Sequence, residues 1–170
     1  MNDFKLPEVW LRGPLPSIPA LLQPVAHALL QANEEINDHI KDFDERLLWK
    51  RPGGLASAGF HLQHIAGVQD RLFTYARAEQ LSEQQLEYLK NEGKENDTIT
   101  LASLLEHLHF QTERSIEQLQ QTDENILADM RGVGRRQTPS TVIGLLVHAA
   151  EHTMRHTGQL MVTIKFLQTL

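Results

Sequence analysis

Three imidazoles stand four residues apart near the C-terminus: His148, His152 and His156 in the run HAAEHTMRHTGQL. On a helix, neighbours at that spacing are rotated by about 40° and separated by about 6 Å along the axis. Two such rings can converge on one ion, and imidazole nitrogen suits zinc and similar divalent metals. A third ligand has to come from another element, and GFHLQHIAG supplies His61 and His64. Two histidines from one helix and one from its neighbour would leave coordination positions for water, the open arrangement of a catalytic rather than a closed structural centre. The pair His152/His156 is favoured over His148/His152 because Gly158 and Gln159 follow it closely, and Gln159 could orient a ligand or line a pocket.

Competing readings of the same residues are concrete. Nine histidines in 170 residues produce several such pairs by chance, and a lone half-buried imidazole is more often hydrogen-bonded than metal-bound. Cysteine is absent, which removes thiolate zinc sites, iron–sulfur clusters and cysteine nucleophiles and leaves His, Asp, Glu or backbone oxygen for any metal. A zinc-protease helix needs H-E-x-x-H, but Thr153 follows His152. A di-iron bundle needs two E-x-x-H motifs, and Glu106-His107-Leu108-His109 supplies one, which reads better as a solvated helix face.

Arg71 and Tyr75 follow His64 by seven and eleven residues and so point roughly its way. They could bind a substrate carboxylate and donate a phenolic proton; the alternative is an exposed Arg and a core-edge Tyr. Asp70 is turned off that face, and Glu151 points about 100° away from His152, as a surface charge or a partner to a ligand. Arg135 and Arg136 precede the last helix and could face an anion or simply line a solvated turn. His27, His39, His107 and His109 are assigned to structure or surface. Trp10 and Trp49 are expected to seal the core against the N-terminal segment, with ligand stacking as the alternative.

The elements that must hold these groups are helical. Pro7, Pro14, Pro16 and Pro19 keep the first stretch from forming a continuous helix, so it should wrap over the surface. Val25, Leu29, Ile36, Ile40 and Phe43 predict an amphipathic helix over 24–42, broken before the RPGG turn. Ser57 caps a second helix carrying Phe60, His64, Val68, Arg71 and Tyr75, and Ser82-Glu83-Gln84-Gln85 is a capping box opening a short helix through Leu89. Thr100 caps a third long helix from Leu101 to Gln121. The segment TDENILADMRGVGRRQ reads as a long connection with one helical turn. Thr138-Pro139 then reads as an N-cap with proline at the first position of a last helix running to the end of the chain. Gly144 and Gly158 inside it suggest close approach of a neighbouring backbone. Four long helices and no convincing strand predict an all-α four-helix bundle, one domain over 1–170, with long connections and a proline-rich N-terminal segment.

Charge and hydropathy narrow the partners. Sixteen Lys+Arg against 22 Asp+Glu leave a net charge of −6, so nucleic acid is not expected as a partner. There is no apolar run of spanning length and no basic segment followed by an apolar stretch at the N-terminus. A cytoplasmic location away from membranes is the expectation.

GFHLQHIAG with the following RLFTYA, the VGRR segment before Thr138-Pro139, and HAAEHTMRHTGQL together resemble the DinB-like superfamily of metal-binding four-helix bundles. The likeness runs from about Pro24 to the C-terminus. It implies a divalent ion, zinc or nickel foremost, held by His64, His152 and His156, with His61 and His148 as extra imidazoles that replace a ligand, carry protons or pack. It also implies a small-molecule substrate handled by metal-dependent hydrolysis or by transfer using a low-molecular-weight thiol. The alternatives are a non-catalytic, ligand-binding or stress-related bundle with a structural metal, and a helix-face interaction protein, a homodimer with incidental histidines.

Overall fold

Each long amphipathic run folds as a helix, and the caps read from the sequence close most of them. The computed structural model describes residues 6–170. Helix α1 spans Gln23–Ile40, α2 Ala58–Ala76, α3 Glu83–Asn91, α4 Leu101–Gln121 and α5 Val142–Leu167. Ser57 Oγ accepts from Phe60 N at 3.1 Å, and Ser82 with Gln85 and Thr100 with Ser103 form reciprocal capping boxes. These bonds satisfy amides that the first helical turn leaves without partners.

Two apolar clusters hold the bundle and fix its directions. One joins the start of α1 (Val25, Leu29), the end of α2 (Phe73, Ala76), the end of α4 (Leu119) and the start of α5 (Leu145, Leu146, Ala149). The other joins the opposite ends through Ile36, Ile40, Leu62, Ile65, Leu104, Leu108, Leu160 and Ile164. Hence α1 and α5 run one way and α2 and α4 the other. Consecutive helices that run the same way need a return connection, and residues 77–100 supply it between α2 and α4, with α3 inside it. That crossover lays α3 against α2.

The segment after α4 holds the single helical turn expected there, a 3-10 turn (Glu124–Ile126), but then departs from the expectation in an antiparallel hairpin, β1 (Met130–Val133) and β2 (Thr138–Thr141). Thr138 and Pro139 lie in β2, opposite Val133 and Gly132, rather than at a helix start. The cap is Thr141, whose Oγ1 accepts from Gly144 N at 3.1 Å. Proline fits here because an edge strand facing solvent can dispense with an amide. Arg135 and Arg136 sit exposed in the hairpin turn.

Three smaller expectations also fail. A Cβ at Gly158 would meet nothing within 4 Å, and one at Gly144 would meet only Ser140 and Thr141 side chains, so neither marks a neighbouring backbone. Trp10 is 60% exposed and bonds Glu8 through its indole N–H instead of sealing the core. The proline-rich segment is fastened otherwise: Val9 and Ile18 are buried, and Arg12 grips Glu34 of α1 in a two-pronged ion pair at 2.6 Å. Trp49 does pack on the core, against Gly59 of α2. No helix among the described residues is long and apolar enough to cross a membrane.

Candidate metal centre

The α2–α5 contact places its imidazoles face to face. Because these helices are antiparallel, His61 and His64 meet His156 and His152 in reverse order. His64 Nε2 lies 2.9 Å from His152 Nε2, and His61 Nδ1 lies 3.0 Å from His156 Nδ1. The ring centroids of His64, His152 and His156 are 5.1, 4.5 and 4.6 Å apart pairwise. Each of these three offers a ligand atom within 4.8 Å of the other two. His61 is buried behind His156 and is not a member of that group.

Hydrogen bonds set which nitrogen each ring presents. Glu92 Oε2 accepts from His64 Nδ1 at 2.7 Å, which leaves His64 Nε2 for the centre. The second Glu92 oxygen accepts from Arg71 Nη1 at 2.5 Å, and the Glu92 side chain is only 5% exposed. Phe60 stacks on His64 with centroids 5.0 Å apart and planes 14° from parallel, and also meets His61 and His156 edge to face. The bond to His61 occupies His156 Nδ1 and frees its Nε2 in the same way. His152 differs: its Nδ1 is buried without a hydrogen-bond partner among the described residues.

Glu92 is the residue that sequence reasoning missed. It follows α3 in the chain, and no spacing rule connects it with His64. Two glycines make its position attainable. A Cβ at Gly67 would lie 2.3 Å from Glu92 Oε1, 2.6 Å from Arg71 Nη1 and 2.9 Å from Tyr88 Cε1. Gly93 turns the chain after Glu92 with φ +76°, a conformation that L side chains rarely adopt, and its N–H donates to Gln63 Oε1 at 2.7 Å. Tyr88 O–H donates to the Gln63 carbonyl at 3.0 Å. Burial raises the Tyr88 phenol, so it stays protonated and able to donate. Thus α3 docks on α2 through Gln63 and carries Glu92 to the ring.

Electrostatics keep the other rings neutral, the form in which imidazole binds a metal. Burial, with the neighbouring His64 adding repulsion, pushes His61 and His156 down to about 4. Burial followed by the same neighbour also lowers His152. Three imidazoles from two helices, one with a buried unpartnered nitrogen, are a donor set suited to zinc, nickel or cobalt.

The remaining candidates separate clearly. Arg71 is neither exposed nor open to a substrate carboxylate, because it is buried on Glu92. Tyr75 belongs to the apolar cluster at the other end of α2, away from the histidines. Gln159 is exposed on the wall of a cleft of about 530 Å³, with Leu55, Ala56, His61, Arg155, Gly158, Val162 and Thr163. His148 is exposed and bonds Glu151, and Asp70 lines a polar surface hollow with Arg77 and Arg114. His39 Nδ1 bonds the Glu35 carbonyl, His109 meets Asn33 and Glu113, His107 lies against Tyr88, and His27 has a buried Nε2 without a partner.

The family model of the DinB superfamily matches residues 28–160, which include all three converging histidines. No curated protein matches the chain. Solved structures share the fold, among them the following two. A conserved protein from Enterococcus faecalis aligns with TM-score 0.70 and 17% identity over 88% of this chain and 98% of that one. A protein from Streptococcus pneumoniae aligns with TM-score 0.61 and 12% identity over 85% of this chain and 88% of that one.

Proposed function

The chain belongs to the DinB superfamily, and on that premise we propose that it is a metalloenzyme acting on a small molecule through a divalent ion held by His64, His152 and His156. The observation that carries this reading is the meeting of three imidazoles from two helices, with His64 oriented by a buried carboxylate. Zinc or nickel is the expected ion. When bound, it supplies Lewis acidity, lowering the pKa of a coordinated water or thiol or polarising a carbonyl.

The protein's own groups do the positioning. Glu92 and Arg71 hold the His64 ring in one orientation, and His61 holds His156. His61, which meets His156, also forms part of the wall of the 530 Å³ cleft, so an organic substrate seated there would lie one imidazole away from the three ligands. Leu55 and Val162 offer it apolar contact, and Arg155 offers a positive charge. Two reactions suit such a centre: hydrolysis, and transfer from a low-molecular-weight thiol to an electrophile.

Metal analysis of the purified protein, followed by assays of small thiols with electrophilic acceptors and of ester and amide substrates, tests the proposal. Activity is expected to vanish on chelation and return with the ion. Activity surviving complete chelation would overturn it. A metal that raises the melting temperature but exchanges no ligand with solvent would make the ion a fastening between α2 and α5.

A further inference from the structure

A second group of metal-type donors converges beside the triad: His148, Glu151 and His152, each offering a ligand atom within 4.8 Å of the others. Their order along α5 explains it. Positions i, i+3 and i+4 share one helical face, so no second element is needed to assemble them. His148 Nδ1 already meets Glu151 Oε1 at 2.6 Å, and Arg155 Nη2 holds the other Glu151 oxygen at 2.6 Å. The His148 and His152 rings lie edge to face, 5.2 Å between centroids.

The two groups differ in exposure and share one member. The His148 and Glu151 side chains are 50% and 43% exposed, against 19% for His64. The second group is therefore the more open to water, while the triad is half-buried. His152 belongs to both, with Nε2 turned to His64 and a buried Nδ1 that has no partner among the described residues.

We infer that His148, Glu151 and His152 form a loading site that captures a divalent cation from solvent and passes it to His64 and His156 while His152 remains a ligand. The inference rests on the triad reading. The transfer is a ligand exchange: bonds from His148 and Glu151 break as bonds from His64 and His156 form, with no change in oxidation state. Glu151 then returns to His148 and Arg155, its partners in the structure. A carboxylate on a chain of net charge −6 attracts cations, while Arg155 offsets part of that charge and keeps the capture reversible.

Stopped-flow uptake of Co2+ by the full-length apoprotein tests this, with equilibrium affinity measured alongside. His148→Ala and Glu151→Gln, both at exposed positions, should slow uptake by about tenfold while leaving final affinity nearly unchanged. His64→Ala should retain weak Co2+ binding that the His64→Ala/His148→Ala double variant loses. Wild-type uptake rates in both single variants, or equal binding by His64→Ala and the double variant, would overturn the loading site and leave the triad standing. Loss of the tight affinity in His148→Ala would instead make His148 a ligand of the final centre and overturn the relay. A wild-type protein that takes up no Co2+ overturns both readings.

Discussion

Glu92 Oε2 lies 2.7 Å from His64 Nδ1, so the group that orients the α2 ring is delivered from the turn after α3. The same carboxylate neutralises Arg71, and both side chains are at most 10% exposed. One buried charge pair therefore joins the metal centre to the stability of the crossover.

Glu92→Gln should act on both. Removing one partner of a buried ion pair leaves the other charge uncompensated, a cost of about 3–5 kcal/mol. Loss of the orienting carboxylate should weaken metal affinity by about 10- to 100-fold. Urea unfolding of the apoprotein and chelator competition measure the two effects separately. Wild-type values in both would remove Glu92 from the account.

Two glycine substitutions should move stability in opposite directions. Gly67→Ala places a methyl 2.3 Å from Glu92 Oε1 and 2.6 Å from Arg71 Nη1, atoms pinned by each other, and should cost about 1–3 kcal/mol and reduce metal affinity. Gly158→Ala meets nothing within 4 Å inside a helix and should stabilise by about 0.5–1 kcal/mol. Denaturant midpoints of the pair decide the matter, and a stabilising Gly67→Ala would contradict the packing described.

The start of α5 can be tested the same way. Thr141→Ala removes the cap and should cost about 1 kcal/mol, whereas Thr138→Ala, at an exposed position of β2, should change little. Equal losses would place the helix start elsewhere.

Acid should destabilise the apoprotein in a defined window. His61 and His156 are depressed by burial and by His64 from 6.5 to about 4, so the unfolded chain binds more protons between those values. Their contribution is fully present above pH 6.5 and is lost as pH falls toward about 4. Urea unfolding of the metal-free protein from pH 8 to pH 4 should show this decline, reduced in a His61→Phe variant. Stability rising on acidification through that window would contradict the burial of these rings.

The sequence carried the local signals well and the distant ones poorly. Ser57, Ser82 and Thr100 were legible as caps because capping depends on residues within one turn. The four-residue spacing of His152 and His156 likewise reports a shared face. The hairpin was not legible: β1 and β2 are short strands with no buried residue and no clear alternation, and Thr138-Pro139 imitates a helix start. Arg71 was placed on the correct face, but its partner comes from the far side of a crossover. Tyr75 shows the converse, since a helix long enough to pass from one apolar cluster to the other carries residues of one face into different surroundings.

Metal stoichiometry tests the central claim most directly. The purified protein, stripped and offered zinc or nickel, should bind one tight equivalent, and His64→Ala, His152→Ala and His156→Ala should each lose it while remaining helical by circular dichroism. Absence of tight binding in the wild-type chain, or its persistence in His64→Ala, would contradict a centre built between α2 and α5.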